Sequence, residues 1–166
     1  EIDQKIISLS EKSHPKVLFI PTASGDSKGY AEVVEKYYGT TLQCQVETLN
    51  LLSLHDLSEA EAKILSADII YVGGGNTLKM MTHWRKLGID QMLLKAYENG
   101  TVLSGVSAGA ICWFRFGNSD SRKFTSNSNQ LIRVSGLGFH QLLFCPHYDV
   151  EISRQEDLKR MMKTTS

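Results

Sequence analysis

The stretch "TVLSGVSAGAICWF", residues 101–114, decides how the chain is read. It begins with β-branched and apolar residues, reaches Ser107 among Gly105, Ala108 and Gly109, and continues into helix-forming positions. A buried strand that turns sharply into a helix needs small residues at the corner. "GVSAG" satisfies the pattern G-x-S-x-G, in which such a corner lifts a hydroxyl clear of the sheet. Alone the pattern is weak, because the same glycines serve close helix-to-sheet packing with Ser107 as a helix cap. The apolar run before it and the helical segment after it supply the context a nucleophile corner requires.

Outward from this stretch, further apolar runs of strand length lie at 16–22 ("KVLFIPT"), 45–51 ("QVETLNL"), 67–75 ("ADIIYVGGG") and 141–147 ("QLLFCPH"). Most are continuous rather than alternating, as suits strands buried on both faces of a parallel sheet. Helical patterns separate them. Residues 27–38 put Tyr30, Val33, Val34 and Tyr37 at helical spacing, and 58–67 opens with Ser58 and Glu61 in capping-box spacing. Asn76 and Thr77 are placed to cap a helix through Arg85, and residues 89–100 end in Asn-Gly, a stop signal. This alternation predicts a three-layer α/β fold with a mostly parallel, doubly wound sheet. In such sheets ligands bind beyond the carboxyl ends of the strands. The unusual residues fall there: "PTASGDS", "GGGNT", "SAGA" and "PHYD" each follow a strand. The polar run 118–130 reads as the longest loop.

At 166 residues the chain has the length of one domain, able to bury roughly two thirds of its unfolded surface. A single domain over 1–166 is expected. The chain opens without Met and stops directly after a helix-like segment, so either end is open to extension. Lys plus Arg and Asp plus Glu both number 18, and no basic block favours nucleic acid or an anionic membrane surface. Three scattered cysteines without CxxC spacing argue against a disulfide framework and a structural zinc site, and fit a reducing cytoplasm. No run reaches the ~18 apolar residues of a membrane span.

Serine is a poor nucleophile at neutral pH unless a base takes its proton. Of the five histidines, His14, His55 and His83 lie in polar surroundings, and His140 precedes a strand. His147 in "FCPHYD" stands where an apolar strand ends, on the sheet edge expected to carry Ser107. The imidazole needs an acceptor in turn, for which Asp120, Asp149 and Glu151 are candidates. Glycines in "GGGNT" let the backbone approach a bound carbonyl and present an N–H. Ala108, next to the serine at a helix start, offers a second donor. A phosphate-binding turn is the rival for GGGNT, but the G-x-G-x-x-G spacing and the P-loop Lys are absent.

"YVGGGNT", then "GVSAGA" some thirty residues on, then "PH" at a further strand end, together resemble the peptidase E family of serine peptidases. That family includes aspartyl dipeptidase and the cyanophycinases. "SAGAICWF" with "CPHYD" is most similar to its uncharacterised bacterial peptidase-E-like members, and the similarity runs over most of the chain. It implies a flavodoxin-like, class I glutamine-amidotransferase-like sheet and metal-free cleavage of small acidic peptides, with no cofactor. It implies Ser107 as nucleophile, His147 as base, and the N–H groups of Gly75 and Ala108 as oxyanion donors. For the acid it implies either Asp120, between nucleophile and base, or a Glu well after the histidine. Asn76 and, in "SRQED", Arg154 become the substrate-contact candidates, the guanidinium suiting an acidic side chain. The expected partner is a small peptide, with a homodimer admitted and neither nucleic acid nor membrane. Two rivals stand beside this reading. An α/β-hydrolase esterase would share G-x-S-x-G but expects a longer chain and an HGGG loop. A non-catalytic module would keep only an acidic-metabolite pocket.

Overall fold

The computed structural model describes residues 1–164. After a helix α1 (Ile2–Leu9), the chain enters β1 (Lys16–Ile20), α2 (Lys28–Val34) with a π-helical continuation over Glu35–Thr41, and β2 (Gln45–Thr48). Next come α3 (Leu57–Ser66), β3 (Ile69–Val72), α4 (Thr77–Leu87), α5 (Ile89–Glu98) and β4 (Val102–Gly105). These four strands form a parallel sheet in the order β2-β1-β3-β4.

The continuous apolar runs are explained by burial on both faces. Leu18, Ile20, Ile70 and Val72 pack with Ile64 of α3, Trp84 of α4 and Leu93 of α5. The alternate residues Val17, Phe19 and Ile69 pack with Ala31 and Val34 of α2 and with Tyr38, and Ile6 and Ile7 of α1 join them. Successive side chains of one strand therefore serve two cores, which makes the fold three-layered and doubly wound, as expected. Because β1 has β2 on one side and β3 on the other, the loops after β1 and β3 flank the point where strand order reverses.

The second half departs from the sequence reading. A short helix α6 (Ala108–Ile111) leads into β5 (Phe114–Ser119), α7 (Ser121–Ser126), β6 (Ile132–Ser135), β7 (His140–Phe144) and α8 (Ile152–Met162). Strands β6-β5-β7 form a separate sheet, antiparallel between β5 and β6 and parallel between β5 and β7. Residues 118–130 are thus not one long loop: they contain the end of β5 and all of α7. Their polar side chains misled because three of them are interior: Asn118 is 0 % exposed, Ser119 1 % and Ser121 0 %. The Ser119 hydroxyl bonds both the Thr77 hydroxyl, at 3.2 Å, and that of Ser121, at 2.8 Å, so burial leaves it paired. At the 58–67 helix, Asp56 rather than Ser58 is the cap, accepting from the Ser58 N–H.

Candidate active site

The corner at Ser107 follows from close approach of β4 and α6 to β3. Val72 pairs with Gly105 across the sheet, and the Val106 N–H donates to Val72 O at 3.1 Å. A Cβ on Gly109 would lie 2.0 Å from Val72 O, and one on Gly105 2.4 Å from Gly109 O. No side chain fits at either position. Between them Ser107 adopts φ 53° and ψ −109°, a backbone that L residues rarely take, and its carbonyl accepts from the N–H groups of Ala110 and Ile111.

His147 sits in the turn after β7, with φ 58°, and its carbonyl accepts from the Val150 and Glu151 N–H groups. Its Nε2 lies 3.0 Å from Ser107 Oγ, a hydrogen bond across forty residues of sequence. The ring is exposed and Ser107 is half-buried, so the pair is open to a substrate. The other histidines lie elsewhere. His83 bonds Leu51 O, His14 bonds Gln43 O, and His140 packs on Phe114.

The GGGNT turn closes the other side. A Cβ on Gly74 would lie 3.5 Å from the Ser107 Cβ, which places this turn against the corner. Gly75 has φ 140°, and a Cβ there would meet Ala23 O at 2.2 Å. The Asn76 N–H donates to the same carbonyl at 2.8 Å, so the loops after β1 and β3 are fastened together. Among the described residues, the N–H groups of Gly75 and Ala108 donate to no protein acceptor. Asn76 is buried: its side-chain oxygen caps α4 at the Lys79 N–H, and its nitrogen reaches Ser121 O at 3.4 Å.

Two of the three acid candidates gather on one cation. Arg154, only 1 % exposed, donates from Nε to Glu151 Oε2 at 2.6 Å, and its Nη2 lies 3.6 Å from Asp120 Oδ2. Among the described residues no hydrogen bond forms to Nδ1 of His147. Asp149 is exposed. Two neighbours escaped the sequence reading. The Gly74 N–H points to the Tyr30 hydroxyl at 3.5 Å, and Asn118 accepts from Arg154 through both its backbone and side-chain oxygens. Tyr30 was visible only as one residue of an apolar helix face, and Asn118 lay in what read as loop. An apolar groove of about 510 Å³, lined by Val102 and Leu103 of β4 with Trp113, Phe114 and Phe139, contains neither Ser107 nor His147.

No metal-ligand cluster occurs among the described residues. What the arrangement offers is a hydroxyl hydrogen-bonded to an imidazole, backbone N–H groups without a protein acceptor at Ala108 and in the adjoining GGGNT turn, and two carboxylates on a buried guanidinium.

Comparison with known proteins places this arrangement in context. The chain is 40 % identical over 156 residues, 93 % of its length, to "Uncharacterized peptidase YgaJ" of Bacillus subtilis (strain 168), and covers 64 % of that protein. It is 31 % identical over 94 residues, 56 % of its length, to "Peptidase E" of Salmonella gallinarum, covering 38 % of it. It spans somewhat less than two thirds of the curated relatives that match most of its length. In fold it is similar to the crystal structure of a peptidase from an acI-B1 Actinobacterium, with a TM-score of 0.69 at 21 % identity, covering 95 % of this chain and 68 % of the other. The family model for peptidase family S51 matches residues 1–166, and the chain belongs to that family.

Proposed function

We propose that this chain is a serine peptidase acting on small peptides through an acyl-enzyme. The observation that carries the reading is the 3.0 Å hydrogen bond between His147 Nε2 and the hydroxyl of Ser107 at its strained corner. Ser107 Oγ attacks the scissile carbonyl while His147 Nε2 takes its proton. The resulting oxyanion is received by the N–H groups of Gly75 and Ala108, each such donor being worth about 3 kcal/mol in the transition state. Collapse breaks the C–N bond, and His147 returns the proton to the departing amine. Water then repeats the sequence on the ester. Asp120 is the proposed acid behind His147, with Glu151 next in line.

Acidic peptides of Asp-X type are the proposed substrates, supported by the likeness to peptidase E rather than by an open cationic pocket. No helix among the described residues is long and apolar enough to cross a membrane. A reducing cytoplasm is the proposed compartment, which the three free cysteines favour. A second copy of the chain, as a homodimer, is the one protein partner proposed.

The test combines a fluorophosphonate label with a panel of Asp-X, Glu-X and neutral dipeptides. Wild type is expected to be modified at Ser107 and to cleave Asp-X fastest. Ser107→Ala should lose turnover by roughly 10⁴-fold or more, the nucleophile being absent while the small-residue corner is kept. Asp120→Asn should lose a large part of kcat; a wild-type rate there moves the acid to Glu151. Full hydrolysis by Ser107→Ala overturns the reading.

A further inference from the structure

We propose that Arg154 is a positioning residue that locks the turn carrying His147 onto β5 and makes no contact with substrate; this deepens, and rests on, the reading of Ser107 and His147 as nucleophile and base. Nε and Nη1 of its guanidinium are committed by hydrogen bonds, and Nη2 by charge alone. Nε donates to Glu151 Oε2 at 2.6 Å, Nη1 donates to Asn118 O at 3.1 Å and Asn118 Oδ1 at 3.2 Å, and Nη2 pairs with Asp120 at 3.6 Å. With 1 % of the side chain exposed, the guanidinium is closed off from an incoming carboxylate.

The links run in one chain from sheet to base. Asn118 is fully buried on β5 and is held from its other side by donating to Asp157 Oδ2 at 2.8 Å. Arg154 joins Asn118 to Glu151, and the Glu151 N–H donates to His147 O at 2.9 Å. That turn needs holding: His147 takes φ 58° although it is not glycine, and its side chain is exposed rather than wedged into a core. A planar fork satisfies three acceptor oxygens on Glu151 and Asn118 at once while its charge faces Asp120, which an ammonium on a flexible stem cannot match. Removing the fork frees the turn, and a displacement of about 1 Å at a reacting group can cost ~10²-fold in rate.

The experiment measures the rate of Ser107 modification by a fluorophosphonate, a probe with no carboxylate, together with kcat and KM for Asp-X and neutral dipeptides. Arg154→Met should slow labelling roughly 10- to 100-fold. It should also lower kcat for acidic and neutral substrates alike, with KM held within about twofold, and Arg154→Lys should fall between it and wild type. Glu151→Ala cuts the same link at an exposed side chain, so it carries the test if the Met variant does not fold. Glu151→Gln keeps an oxygen for Nε and should recover most of the rate, which a residue acting as the triad acid would not. Wild-type labelling in Arg154→Met or Glu151→Ala overturns the proposal, as does a loss confined to a raised KM for acidic dipeptides. An unlabelled wild type overturns the function proposed above, and this inference with it.

Discussion

Ser107 at φ 53° and ψ −109° holds a backbone whose strain costs of order 1–3 kcal/mol, and the residues around it explain why it persists. Gly105 and Gly109 let β4 and α6 approach the Val72 carbonyl more closely than any side chain permits. Gly109→Ala places a carbon 2.0 Å from that oxygen, so strand, helix or serine must move. The variant should lose about 1–3 kcal/mol or more of stability and most Ser107 reactivity. A denaturation midpoint and a labelling rate equal to wild type would remove the close-packing account. This much was legible, because a contact that excludes Cβ leaves glycine as its signature in the sequence. Although its strand, β7, lies in the second sheet and not, as the sequence reading expected, on the sheet edge that carries Ser107, position 147 was legible as the histidine after an apolar strand. The environment of Arg154 was not, since its burial depends on Asn118, thirty-six residues away, and a buried arginine looks like a surface one until its partners are placed.

At the scale of elements, legibility follows the source of the burial. Strands β1, β3 and β4 lie in a sheet covered on both faces and are written as apolar runs. Strand β5 ends in Asn118 and Ser119, which are buried by hydrogen bonding and not by hydrophobicity, so its sequence reads as loop. The same polar cluster joins the two sheets through the N-terminus of α4. Asn76 caps that helix at the Lys79 N–H, and Ser121 Oγ accepts from the Leu78 N–H at 3.0 Å. Here the sequence expectation of a cap at Asn76 is met, and the structure adds the second cap from α7. Asn76→Ala removes one cap and one of the donors to the Ser121 carbonyl, which keeps the Thr125 hydroxyl, and should cost about 1–2 kcal/mol. In a chain of this size that is a fall in Tm of roughly 2–8 °C. A change below 1 °C would mean that Ser121 alone suffices to cap α4.

Across the whole molecule the parallel sheet divides its labour between two ends. The carboxyl ends of β1, β3 and β4 carry the loops of Ala23, Gly75 and Ser107, which meet there through the Asn76 N–H bond to Ala23 O and the contact of Gly74 with Ser107. The opposite end is tied by Asp68. Its N–H donates to Lys16 O, its carbonyl accepts from the Val102 N–H, and its carboxylate accepts from the Lys16 N–H at 2.9 Å and from Lys12 Nζ at 2.7 Å. One residue thus joins the starts of β1 and β4 and the segment after α1. Burial pushes the Asp68 carboxyl up, but the bonds from Lys12 and the Lys16 N–H outweigh it and hold the group below its ordinary value of 3.8. A carboxyl whose folded value is lowered stabilises the fold at every pH above the unfolded value, and that contribution fades as pH falls through the folded one. Asp68→Asn should therefore cost about 1–2 kcal/mol at pH 7, read as a Tm roughly 2–8 °C lower. The gap from wild type should shrink as pH drops below about 4, where the wild-type carboxyl itself takes up a proton. Thermal melts of both proteins from pH 7 down to about 2.5 test this directly. A gap that stays constant over that range would assign the role of Asp68 to its backbone bonds, leaving its charge without a part in holding the sheet together.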